Sequence, residues 1–329
     1  MRSLNFSRCA LSISTAALLA ACGESQQPIG APGSMPQSGV IDTQAKHGGS
    51  WMLPEAKGED LIYASRHLSS GCDRDCAVYV YSLHTGKAVG VLRGLHDPLR
   101  LCSDAKGNIW VTEDLGEYGV GPGRIIEYAH AGTKPIATLT ESDPPTACSV
   151  QTSTGNLAVA NENTYSHVLA VFLGGRGKPT FYSGASTKPS ALTYDNDGDI
   201  FMADVVSTYA AGVDWLPKGG STIQRFLTKP RVYPSESLLW YGRFLTVNGR
   251  HLRIGRYTVV NDKSGKEVGT TELYGAANFF IQYWIADKLI IATGRDGIQM
   301  WAYPAGGNLV RTINLSDPFG VTASIATGR

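Results

Sequence analysis

The side chains that could do chemistry in this sequence are mostly hard oxygen donors. His96, Asp97, Arg100, Asp143, Glu236, Asn278 and Asp317 stand at or just before the start of an apolar segment, and Asp114, Glu162 and Asp204 stand just after one. Carboxylate and amide oxygens are the ligands that calcium prefers. A convergent set of them can equally hold a polar organic ligand. The same aspartates have a plainer use, because Asp before Pro sets up a turn through side-chain-to-backbone bonds. The nucleophile elbow GxSxG, the zinc motif HExxH and the phosphate loop are all missing. Asp195-Asn196-Asp197-Gly198-Asp199 imitates part of a calcium loop but lacks its distal glutamate, and reads as a turn.

The cysteines form a second group. Beyond Cys9 and Cys22 near the start, four remain: Cys72, Cys76, Cys102 and Cys148. An even number in an exported chain favours pairing. Cys72 and Cys76 share one polar loop, where a bridge would rigidify it. A metal site there would lack a second thiol pair, with His67 the only other soft ligand close by. Cys102 lies four residues after Pro98 and Cys148 three after Pro145. On extended strands that opposite parity points them to opposite faces, so they can meet across the interface between two neighbouring units. Two buried thiols are the alternative.

The elements that must position these residues repeat. Turns centred on Gly58, Gly107, Gly155, Gly198, Gly242 and Asp287 each precede an alternating apolar strand. A second series of turns, at Gly86, Gly132, Gly174, Gly219, Gly265 and Gly306, runs out of phase with the first. Two independent series sharing one period imply a unit of four strands, a to d, and such a unit is a propeller blade. Six turn pairs give six blades. The expected fold is therefore all-β, a six-bladed β-propeller of four-stranded antiparallel blades over 50–329. Closing the ring falls to Asp317–Ala323, which repeats the start of a strand a with no b strand after it. It is expected to pair with Asp60–Tyr63 in the first blade; the competing candidate for that slot is Ser50–Leu53.

This topology sorts the oxygen donors. The d-to-a and b-to-c loops share the face around the channel mouth, and the glycine turns lie on the opposite one. All ten residues named at the outset fall on the mouth face, joined by Glu113, Glu141, Asn161 and Asn248. Calcium in the channel is the cofactor this arrangement admits. The six tryptophans occupy no fixed repeat position, and those on strands are expected to pack between blades.

Before the propeller, basic Arg2 and Arg8 precede an apolar run ending in Leu19-Ala20-Ala21-Cys22. This resembles a bacterial lipobox, which implies a cleaved signal peptide over 1–21 and lipid on the Cys22 thiol. Gly23, with no Asp after the cysteine, implies outer-membrane sorting in a cell with two membranes. Residues 22–49 are rich in Gln, Ser, Pro and Gly and read as a flexible tether. The 29 basic and 28 acidic side chains leave a formal charge of +1, so there is no electrostatic case for nucleic acid.

The repeat at Pro98–Thr112 resembles the NHL-type propeller unit, with its Pro, Asp, Gly-Asn and strand. Fold follows from that resemblance and activity does not. Among enzymes of this shape, the sequence is more distantly similar to gluconolactonase-like propellers. They hold a channel metal with acidic and amide residues from separate blades. Their Glu-Gly-Pro and Asn-Gly motifs are not matched here, and only Glu236 and Asn278 occupy comparable loop positions. The expected function is a ligand-binding or protein-interaction module anchored to the envelope bilayer, on its periplasmic side or at the cell surface. The alternative is a metal-dependent lactonase- or esterase-like hydrolase.

Overall fold

The computed structural model describes residues 48–67, 76–116, 121–161, 167–184, 189–204, 212–230, 237–249, 252–261, 264–275, 280–295 and 297–327. They form a β-propeller, with 3-10 turns at Pro54–Gly58 and Leu173–Gly175 and no helix long and apolar enough to cross a membrane.

Six four-stranded antiparallel units appear among the described residues. Blade 2 (Pro98–Ser103, Ile109–Asp114, Gly123–Tyr128, Pro135–Glu141) shows the plan, in which each strand pairs with the one before it. Blade 3 starts at Pro145–Val150, blade 4 at Pro189–Tyr194, blade 5 at Leu238–Tyr241 and blade 6 at Gln282–Ala286. Blades 4 and 5 are fused into one eight-stranded sheet, since their outer strands Gln224–Lys229 and Ser264–Glu272 pair in parallel. The innermost strands contact one another in ring order.

Blade 1 joins the two ends of the folded region. Its innermost strand is Pro318–Ser324, in register Leu61↔Ser324, Ile62↔Ala323 and Tyr63↔Thr322. Trp51–Met52 is not the closing strand. It adds a fifth strand at the outer edge through Trp51↔Val91 and Met52↔Gly90. Gly90 makes room for it, because a Cβ there would lie 2.3 Å from the Met52 sulfur.

Each blade is apolar on both faces, and the alternation of its inner strands feeds two cores at once. Leu61, Tyr63, Val78 and Val80 pack against Leu101, Ile109 and Val111 of blade 2. Their neighbours Ile62, Ala64 and Tyr81 pack against Ile291, Ile298 and Met300 of blade 6. Such a core fills each of the six interfaces. Cys102 and Cys148 form a disulfide across the interface of blades 2 and 3, with Cα atoms 5.7 Å apart. Cys76 is also disulfide-bonded; its expected partner Cys72 lies outside the described residues.

The a-to-b turns hold the repeat in register. Gly107, Gly155, Gly198 and Gly242 all have positive φ, and in blade 6 the pair Asp287 and Lys288 takes the same conformation at φ 45° and 58°. The hairpin geometry needs the left-handed region there, so the repeat survives in blade 6 without its glycine.

Candidate functional site at the propeller mouth

A recurring irregularity shapes the mouth. Near the start of strand a the pairing with strand b slips by one residue in blades 1 to 4. Such bulges re-aim side chains. In blade 2 the Thr112 hydroxyl stands in for the ladder, accepting from the Arg100 amide at 3.0 Å and donating to the Arg100 carbonyl at 3.1 Å.

Arg100 is directed inward and is only 4% exposed. Its Nη1 donates to the Ile281 carbonyl of blade 6, and its guanidinium lies 5.2 Å from the Phe319 ring centre. Beside it Gln282 stitches three blades together. Its amide donates to the Leu101 carbonyl at 2.7 Å, and its oxygen accepts from the amides of Leu101 at 3.3 Å and Val321 at 3.0 Å. The cavity they line with Ser149 and Ser237 on the ring axis measures about 20 Å³, the room of roughly one water molecule. Gly320 permits this closeness: a Cβ there would sit 2.3 Å from the Leu99 carbonyl.

The polar groups on the mouth face gather in two places. The first lies between blades 1 and 2. His67, which follows strand b of blade 1, places Nδ1 2.7 Å from an Asp97 carboxylate oxygen. Its backbone N–H donates to the Asp317 carbonyl at 3.3 Å, and its ring packs 5.0 Å from Phe319. The bond to Asp97 raises the His67 pKa; burial opposes this, and the charges of Asp97, Asp114 and Asp317 add to it. His96 is exposed, with its backbone N–H on Glu113 at 3.0 Å and its ring nitrogen 2.8 Å from the Asp114 carbonyl. Asp114 is buried and accepts from the Gly116 amide at 2.8 Å. Glu113 is fully buried against Arg124 at 2.5 Å.

The second place lies between blades 2 and 3 and joins Glu141, Asp143 and Asn161, all buried. The Asn161 side chain interacts with the Glu141 carboxyl and lowers its pKa slightly, but no hydrogen bond of good geometry reaches either Glu141 oxygen. Burial, then the Asp143 charge, pushes Glu141 up to about 7.

Of the ten residues nominated from sequence, His96, Asp97, Asp114 and Asp317 come together around His67, with Arg100 adjoining through Phe319. Asp143 belongs to the second cluster. Glu162, Glu236 and Asn278 lie outside the described residues, and Asp204 ends a strand whose side chain there is not described. His67, weighed from sequence only as a metal ligand beside Cys72 and Cys76, is the mouth residue that was left out. Its signal was its position just after strand b, the rule that selected Asp114 and Glu162. No three His, Cys, Asp or Glu side chains form a metal-binding group among the described residues.

Solved structures resemble this fold. The periplasmic gluconolactonase of Pseudomonas aeruginosa superposes with a TM-score of 0.55 at 14% identity, covering 81% of this chain and 99% of that one. This is a likeness of fold. A putative 6-phosphogluconolactonase of Bacteroides fragilis gives 0.52 at 12% identity over 81% and 98%. A functionally unknown protein of Desulfotomaculum acetoxidans gives 0.51 at 11% over 74% and 75%. No protein-family model matches the sequence, and no curated protein matches it.

Proposed function

We propose that this is an envelope binding propeller whose mouth, between blades 1 and 2, takes a small polyhydroxylated ligand. One observation carries the reading: the part-exposed His67–Asp97 pair stands beside the half-buried ring of Phe319. Carboxylates accept hydrogen bonds from hydroxyls, and an aromatic face covers the apolar side of a sugar ring. Calorimetric titration with aldoses, aldonates and aldonolactones tests it. At least one of them should bind, and Asp97→Asn should weaken that binding at least tenfold. Silence across the panel, or an unaffected variant, sinks the reading.

A second reading, hydrolysis of a sugar lactone, draws on the activities named for two of the fold relatives and on the same pair. Asp97 on Nδ1 fixes the tautomer that leaves Nε2 as the base. Water would add to the lactone carbonyl as His67 takes its proton. The ring C–O bond would then break, and the same proton would pass to the departing oxygen to give a hydroxy acid. In this reading His67→Asn stops turnover while binding persists. A mouth that binds lactones and never opens them leaves the binding function alone.

The anchor belongs to the same proposal. Lipid on Cys22 and the tether that follows would hold the propeller at the bilayer of the envelope. Cys22→Ser should move the protein from the membrane pellet to the soluble fraction after cell breakage. Retention in the pellet would overturn the lipid anchor.

A further inference from the structure

The face opposite the mouth carries a groove of about 580 Å³ between blades 5 and 6. That is the size of a small-ligand pocket. Its floor and walls come from the a-to-b turn Tyr241–Phe244, the outer strands of blade 5, and the Tyr303-Pro304 turn of blade 6. Two arginines, Arg243 and Arg256, line an otherwise largely apolar and aromatic surface.

Among the described residues their charges are unmatched. Four other arginines meet carboxylates: Arg124 with Glu113, Arg176 with Glu127, Arg225 with Asp214, Arg253 with Glu267. Among the described residues neither Arg243 nor Arg256 has an acidic partner within ion-pair distance. Arg243 lies 5.2 Å over the Phe244 ring. Arg256 donates to the Thr271 hydroxyl at 3.1 Å and lies 5.9 Å over the Tyr303 ring, which meets Tyr241 edge-on at 5.2 Å. Its cross-strand partner is Gly269, where a Cβ would come 2.3 Å from Arg256 Nη2. A hydroxyl, an aromatic face and a missing side chain thus seat this guanidinium.

We infer that the groove is a binding site for an organic anion: a carboxylate, sulfonate or phosphate carried on an aromatic or acyl body. Guanidinium recognises such anions through paired N–H donors, and the aromatic walls take the apolar body. The site is separate from the mouth and does not depend on what binds there.

A matched pair of probes tests this on the full chain: 8-anilinonaphthalene-1-sulfonate and the uncharged N-phenyl-1-naphthylamine, both followed by fluorescence. The sulfonate should bind saturably and at least tenfold more tightly than the neutral amine. Arg243→Gln and Arg256→Gln should each erase most of that difference while leaving the amine within twofold. Arg243 sits on an exposed turn, so its variant should fold normally. Val268→Trp, on an exposed wall residue, should block both probes. Equal binding of the two probes by the parent chain, or arginine variants that hold the sulfonate as the parent does, would overturn the site.

Discussion

Removal of residues 318–329 should abolish cooperative unfolding, whereas removal of everything before Pro54 should cost only about 1–2 kcal/mol, the scale of one half-buried edge strand. Both deletions take one strand from blade 1, yet from opposite edges. The outer strand Trp51–Met52 contributes two register positions and half-buried side chains. The inner strand is bound on every side. Val321 and Ala323 sit in the core shared with blade 6. The Phe319 carbonyl accepts from Thr293 at 2.6 Å, the Gly320 amide donates to Ser65 at 2.7 Å, and the Ser324 hydroxyl lies 2.6 Å from His130. Its loss exposes two blade interfaces and an unpaired inner edge. Against a total domain stability of about 5–15 kcal/mol, that is the whole margin. Urea unfolding followed by tryptophan fluorescence, with gel filtration for aggregation, separates the outcomes. Two deletions of equal cost would refute this account of ring closure.

How much of this was legible in the sequence follows from what repeats. Strand count, turn positions and the closing role of Asp317–Ala323 were readable because backbone geometry imposes them on every blade, and six copies average out local noise. The Cys102–Cys148 bridge was readable from parity, since the pleat leaves only two faces. The fusion of blades 4 and 5 was not. It depends on a pairing of Leu227 with Ser264, between outer strands with no fixed place in the repeat. The mouth was half legible. Topology placed Asp97, Asp114 and Asp317 on one face, but the inward direction of Arg100 comes from a bulge, and a bulge leaves no mark in the hydrophobic pattern. The opposite groove was hidden for a related reason. Arg243 in a turn and Arg256 on a strand are 13 residues apart, and only the sheet places them with Tyr303.

Glu141→Gln should stabilise the protein at pH 8 by about 3 kcal/mol and leave it unchanged at pH 4, taking about 1.4 kcal/mol for each pH unit of displacement. The carboxyl ordinarily titrates at 4.5 and here at about 7. Burial is the main cause, and the neighbouring Asp143 charge adds to it. The Asn161 side chain pulls the other way, but it is the smallest of the three influences. The direction of the pH effect is fixed by which state holds the proton. Below pH 4.5 both folded and unfolded chains keep it, and the contribution of Glu141 to stability is complete. As pH rises the unfolded chain releases its proton first, so that contribution falls away and is gone once pH has passed through about 7. Glutamine mimics the protonated side chain and carries no such loss, so the variant gains on the parent only across that window. Asp143→Asn should recover a smaller part of the same gain, because it removes the charge and leaves the burial. Thermal or urea unfolding of the three proteins from pH 4 to pH 8 measures the difference directly. Parallel pH profiles for parent and Glu141→Gln would mean that the carboxyl is ionised in the fold and has found a partner at the interface of blades 2 and 3.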